Sequence, residues 1–182
     1  MKFRLIREWP LILIVLAPLV YLGIVWNTLG ERVPMHWNFE GEVDRWGSKT
    51  ELAIFTLAIP LFMYVLLLII PSIDPKNRLE QMGKKWDRLR MVLLLAMATL
   101  AMYMIYTAKH EVLVEMRFVF VFAGLLFAGL GNYIQTVKPN YFIGIRTPWT
   151  LEYESIWRST HRLGGRLWVI DGIVLIALPF LI

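Results

Sequence analysis

The fold class this chain predicts is all-α, a polytopic transmembrane helical bundle with about five spans, and three observations carry that reading. Runs 9–30, 52–73, 91–108 and 118–137 contain no charged side chain, and a fifth apolar run, 167–182, contains only Asp171. The first four are 22, 22, 18 and 20 residues long, and about 20 helical residues cross a ~30 Å hydrocarbon core at 1.5 Å per residue. Charged residues make up only 18% of the chain and hydrophobic ones 58%, against about 25% charged in a soluble domain. The mean hydropathy is +0.57. At 182 residues the chain has room for a single membrane domain with short loops.

The first span follows Lys2, Arg4 and Arg7, a basic start that resembles a secretory signal. Its end, Trp26-Asn27-Thr28-Leu29-Gly30, offers no small-x-small cleavage site, so an uncleaved helix is expected. Pro10, Pro18, Pro60 and Pro179 lie in or at the ends of spans, where neighbouring helices can compensate a freed carbonyl. Trp9, Trp26, Trp37 and Trp46 fall near expected interfaces, where amphipathic rings settle. In the fourth span Gly124, Ala128 and Gly131 form a small-residue stripe that lets another helix of the chain approach closely. The fifth span, 167–182, is only 16 residues long.

Orientation follows from the cationic residues. With the amino terminus inside, 14 Lys and Arg lie on the inner side and 5 on the outer. The positive-inside bias therefore puts the amino terminus and loops 74–90 and 138–166 in the cytoplasm, and loop 31–51 outside. The net charge of +5 sits in loops that flank apolar runs, a placement that serves topology and anionic lipid rather than nucleic acid. The absence of cysteine excludes disulfides, thiolate metal sites and a cysteine nucleophile.

Two polar islands remain as candidate sites. The outer loop carries His36, Trp37, Asn38, Glu40, Asp44 and Trp46, with Gly41 and Gly47 available for positive-φ corners. Imidazole beside carboxylates invites a metal, but no standard ligand spacing appears, and polar groups that satisfy one another are the simpler reading. The inner stretch runs from Asn132 through Lys138, Asn140, Tyr141, Gly144, Arg146 and Thr147 to Trp157, Arg158, Thr160, His161 and Arg162. Pro139 and Gly144 mark turns, and Thr147-Pro148 reads as an N-cap with proline at the first helical position. Beyond it Glu154, Arg158, Arg162 and Arg166 recur every four residues beside Trp149, Tyr153, Ile156 and Trp157. That pattern is an amphipathic cytoplasmic helix lying in the inner interface, touching headgroups or docking a partner. Asp171 is expected to pair with Arg146, Arg162 or Arg166.

Catalytic templates mostly fail. His110-Glu111 opens like a zinc-protease helix, but Val114 stands where the second histidine belongs. No G-x-S-x-G and no phosphate loop occur. The three histidines fall in three loops, two outside and one inside, so no metal or cofactor is expected.

The inner stretch, from Gly131-Asn132-Tyr133 through Lys138-Pro139-Asn140-Tyr141-Phe142-Ile143-Gly144-Ile145-Arg146-Thr147-Pro148-Trp149-Thr150 to Trp157-Arg158-x-Thr160-His161-Arg162-x-Gly164-Gly165, resembles the SdpI-type bacterial immunity proteins. The outer Pro34-x-His36-Trp37-Asn38 with Gly41, Asp44 and Gly47-Ser48-Lys49 looks like the domain of unknown function at the front of such proteins, and Pro71-x-Ile73-Asp74-Pro75 adds a third match. The resemblance implies a non-enzymatic protein of the bacterial cytoplasmic membrane that protects against a membrane-active peptide toxin and holds a cytosolic transcriptional repressor at the membrane. On that reading His36, Trp37, Asn38, Asp44 and Trp46 face the toxin. Asn132, Lys138, Asn140, Tyr141, Gly144, Arg146, Thr147, Trp157, Arg158, Thr160, His161 and Arg162 then face lipid or the repressor. The family commonly has six spans where this chain shows five, so a last helix is expected to be missing. The alternative is a membrane enzyme or transporter with its site in 131–166, and a structural accessory subunit is a third reading.

Overall fold

A backbone in hydrocarbon finds hydrogen-bond partners only within its own helix, and the uncharged runs fold accordingly. The computed structural model describes residues 5–38, 40, 42–75, 77–110 and 116–181. Five long helices are α1 (Leu5–Val25), α2 (Lys49–Ile73), α4 (Lys84–His110), α5 (Met116–Ile134) and α7 (Glu154–Ala177), each long and apolar enough to cross a membrane. Two short ones, α3 (Arg78–Gln81) and α6 (Pro148–Glu152), lie in the loops. Gly41, Lys2, Arg4, Lys76, Glu111 and Ile182 lie outside the described residues.

The chain divides into two units, Met1–Ile69 with Arg88–Val114, and Ile70–Asp87 with Glu115–Ile182. In the first unit, residues 31–51 are more than a loop. Strands β1 (Arg32–Trp37) and β2 (Val43–Ser48) pair antiparallel, with irregular register around Pro34, His36 and Trp37. Proline has no N–H to give a ladder, so a bulged two-stranded edge suits Pro34. Asn38 closes the turn, its side-chain oxygen accepting from the Glu42 N–H at 2.8 Å. Val33 and Met35 of β1 are buried in a cluster with Leu22 and Val25 from the end of α1, Leu29 just beyond it, Leu52 from the start of α2, and Ile105 and Ala108 from the end of α4. Removing a Val- or Leu-sized side chain from water contributes about 1.5–3 kcal/mol, so this apolar cap ties one end of the unit. Gly47, expected at a positive-φ corner, is instead a β2 residue, and positive φ among the described glycines falls at Gly83 and Gly144.

In the second unit α5 and α7 pack through glycine. A Cβ built on Gly124 would lie 2.5 Å from the Gly172 carbonyl oxygen, and one on Gly131 would lie 2.7 Å from that of Gly165. The small-residue stripe is thus intramolecular packing, as expected, and Phe127 and Trp168 close its flank with ring centroids 5.4 Å apart. Asp74 caps the turn before α3 by accepting from the Leu79 N–H at 2.9 Å, and Tyr133 donates to the Lys85 carbonyl at 3.2 Å.

Two expectations for the carboxyl third are corrected. The amphipathic segment after Thr147 is not one helix lying in the interface: the short α6 ends at Glu152, and from Glu154 the chain continues unbroken into the fifth span as α7. Glycine at 164 and 165 does not interrupt it, since Gly165 sits in the close contact with α5. Asp171 is exposed and makes none of the expected salt bridges among the described residues. It stands five residues beyond Arg166, a rotation of about 140° that sends the two side chains apart.

Candidate functional site

The loop 135–147 is a polar knot built against the first turns of α7. Asn140 is its pivot, buried to 2% exposure. Its side-chain NH₂ donates to the carbonyls of Lys138 (2.9 Å) and Ile143 (3.1 Å). Its oxygen accepts from the N–H groups of Phe142 (2.9 Å) and Ile143 (2.7 Å). All four positions of the amide are used, which folds the loop back on itself. Gly144 follows with φ +117°, and a Cβ there would run into His161 and Trp157.

His161 and Trp157 form the floor. The Trp157 indole donates to the Val137 carbonyl at 2.8 Å and its ring stacks on His161 with centroids 3.9 Å apart. His161 Nδ1 lies 2.8 Å from the Trp157 carbonyl, which can only accept, and Nε2 lies 3.0 Å from the Ile145 N–H, which can only donate. These partners fix a neutral imidazole with its proton on Nδ1. Thr147 caps α6 as its position before Pro148 predicts, with a reciprocal partner in Thr150. The buried Thr150 hydroxyl also reaches the Ile145 carbonyl at 3.0 Å. Thr150 was not a sequence candidate, although the T-x-x-T spacing of a capping box pointed to it.

The remaining inner candidates point outward. Asn132, Lys138, Tyr141, Arg146, Arg158 and Arg162 are exposed and Thr160 is half-buried. The Arg146 guanidinium donates to the Tyr141 carbonyl, and Arg158 pairs with Glu154 at 2.7 Å, as their spacing predicts. Trp149 and Tyr153 present their rings beside them, at 66% and 54% exposure. A cavity of about 220 Å³ lies at Arg78, Pro139, Asn140, Tyr141, Leu151, Glu152 and Glu154.

In the hairpin, His36 Nδ1 and Asp44 Oδ1 meet at 2.7 Å, so the two groups that suggested a metal satisfy each other. Arg45 pairs with Glu51, and Lys49 lies 3.3 Å from Glu31 and over the Trp26 ring. Trp46 is exposed, while Trp37 is half-buried with an indole N–H that has no partner among the described residues.

A third polar site was not legible in the pattern. Arg90 of α4 grips Glu8 of α1 through two hydrogen bonds, 3.0 Å to Oε1 and 2.6 Å to Oε2, and both side chains are 1% exposed. Tyr64 of α2 donates to the same carboxylate at 3.1 Å. Glu8 and Arg90 stand one residue outside the uncharged runs, where charges read as solvated flanks. The contact joins residues 82 apart, which spacing along one helix does not reveal.

Comparison with known proteins gives two partial family matches and one similar protein. Residues 136–182 match the SdpI/YfhL protein family and residues 13–64 match a domain of unknown function, DUF1648. The first match spans the knot and α7, and the second spans most of α1, the hairpin and most of α2. The chain is 25% identical over 159 residues to the immunity protein SdpI of Bacillus subtilis (strain 168), covering 86% of this chain and 73% of that protein. No solved structure matches. With the knot and α7 matching one family model, the hairpin and parts of its flanking helices matching the other, and this likeness along most of its length, the chain is similar to the SdpI-type proteins at its carboxyl end and to DUF1648 at its front.

Proposed function

We propose that this chain is a non-enzymatic immunity protein of the bacterial cytoplasmic membrane, protecting the cell against a membrane-active peptide. The likeness to the Bacillus subtilis immunity protein along 86% of the chain carries the reading. The amino terminus lies in the cytoplasm, the hairpin faces outward and the knot faces inward, an arrangement supported by the bias of Lys and Arg between loops. On the hairpin, Trp46, the His36–Asp44 pair, Asn38 and the half-buried Trp37 form the surface offered to the peptide, with aromatic area at low entropic cost.

Inside, the aromatic and cationic rim of the knot (Tyr141, Arg146, Trp149 and Tyr153) is the surface for a cytosolic repressor. Asn140, Gly144, Thr147, Trp157 and His161 hold that rim in shape from below. The cavity at Asn140, about 220 Å³, falls under the roughly 300–1,000 Å³ of small-molecule sites, which favours a protein surface over an enzyme or transporter site.

The test is peptide challenge of cells that express the chain, with Trp37→Ala alongside and membrane amounts matched. Expression should raise survival and Trp37→Ala should lower it. Equal killing of expressing and empty cells would sink the immunity reading. Tags on the hairpin and on 138–147 that label from the same side would sink the orientation.

A further inference from the structure

α7 has two faces, and burial separates them. Trp157, His161, Gly165 and Gly172 are buried on one. On a helix of 3.6 residues per turn, Arg162, Ile173, Arg166 and Ile170 fall within an arc of roughly 80° on the other. All four are exposed, with Ile170 at 55% and Ile173 at 58%. Arg158 lies at the flank of this arc and is already held by Glu154. Arg162 and Arg166 make no ion pair among the described residues.

The order along the helix decides what fits this stripe. Arg166 stands one turn, about 6 Å, before Ile170, and Arg162 stands two turns, about 12 Å, before it. The polar layer on each side of a hydrocarbon core is roughly 5–7 Å deep. With Ile170 and Ile173 against acyl chains, the two guanidiniums fall at the headgroups, and flexible stems let them adjust to that depth. A guanidinium's planar fork pairs with phosphate oxygens two at a time. One molecule that presents phosphate above and hydrocarbon below satisfies the whole stripe.

From this we infer that the outward face of α7 is a binding site for an anionic phospholipid, its phosphate held by Arg162 and Arg166 and its chain laid along Ile170 and Ile173. The site is independent of whether the protein confers immunity, since it needs only a membrane and α7.

The test uses the full chain purified in a zwitterionic detergent. Bound lipid is counted by native mass spectrometry, and the thermal midpoint is followed as phosphatidylglycerol, phosphatidylcholine or inorganic phosphate is added. Phosphatidylglycerol should bind and raise the midpoint, while phosphatidylcholine and free phosphate should not. Arg162→Gln/Arg166→Gln should weaken phosphatidylglycerol binding about thirtyfold, from ~1 kcal/mol per basic residue at 1.4 kcal/mol per tenfold. Arg162→Lys/Arg166→Lys should retain most of it. Both residues are exposed, so the midpoint without lipid should hold. Equal response to both lipids, an undiminished response in the Gln variant, or loss of a bound second copy or soluble protein in place of lipid would overturn the assignment.

Discussion

The Glu8–Arg90 pair should behave as a neutralised unit whose halves are costly apart. Arg90→Met leaves the Glu8 carboxylate in a site of 1% exposure, with only the Tyr64 hydroxyl at 3.1 Å to replace two guanidinium bonds. Glu8→Gln leaves the guanidinium buried with a weakened acceptor, and its Nε already lacks a partner among the described residues. Breaking one side of a buried pair costs about 3–5 kcal/mol, whereas removing both charges is often close to neutral. In a protein of this size 1 kcal/mol moves the thermal midpoint by about 2–4 °C. Each single variant should therefore lose about 6–20 °C in detergent, and Glu8→Gln/Arg90→Met should recover more than half of that loss. The cycle should give a coupling energy of at least ~2 kcal/mol. Singles within 2 °C of the parent, or a double variant as damaged as the two losses added, would refute the argument that the pair is buried and mutually satisfied.

Further outcomes follow from the same geometry. Gly131→Leu should separate α5 from α7 and strongly reduce the folded protein recovered from membranes. Gly129→Leu, with no described residue within 4 Å of its Cβ position, should leave recovery unchanged. Asn140→Ala strands two N–H donors and two carbonyls of the loop. At about 1–3 kcal/mol per buried unsatisfied group, limited by the part that water reaches, it should lower stability by roughly 2–4 kcal/mol and expose 138–147 to protease. Trp149→Ala, at a ring that is 66% exposed, should leave stability within about 0.5 kcal/mol, and under the repressor docking proposed above it should reduce the cytosolic protein that co-purifies.

What was legible from the sequence was whatever a single segment can specify. Uncharged length gave four spans, an apolar run broken only by Asp171 gave the fifth, the Gly124, Ala128 and Gly131 spacing gave a packing face, and Thr147-Pro148 gave a helix start. Each depends on periodicity or on a cap within a few residues. The misses have the opposite character. The β1–β2 pairing brings together strands whose alternation is blurred by Pro34 and by two irregularities of register, so no period of two appears. The separate interfacial helix was read from a change of polarity at Leu167, but polarity changes where a helix meets lipid and need not mark its end. Glu8, Tyr64 and Arg90 come from three helices, and only folding shows that they share one site.

The knot explains why a motif rich in polar residues need not be a reactive centre. Asn140 spends its whole amide on Lys138, Phe142 and Ile143, and His161 spends both ring nitrogens on backbone groups, so neither has a lone pair or proton left to offer a ligand. Their chemistry is consumed in making an irregular loop affordable next to a membrane, where an unpaired backbone group is expensive. The groups free to make contacts are then the exposed ones beside the knot, Tyr141, Arg146 and Trp149, and the arginines of α7. Substitutions below the rim should change how much protein survives in the membrane, and substitutions on it should change what that protein binds. A buried-residue variant that kept full abundance yet lost binding would show that the division drawn here is wrong.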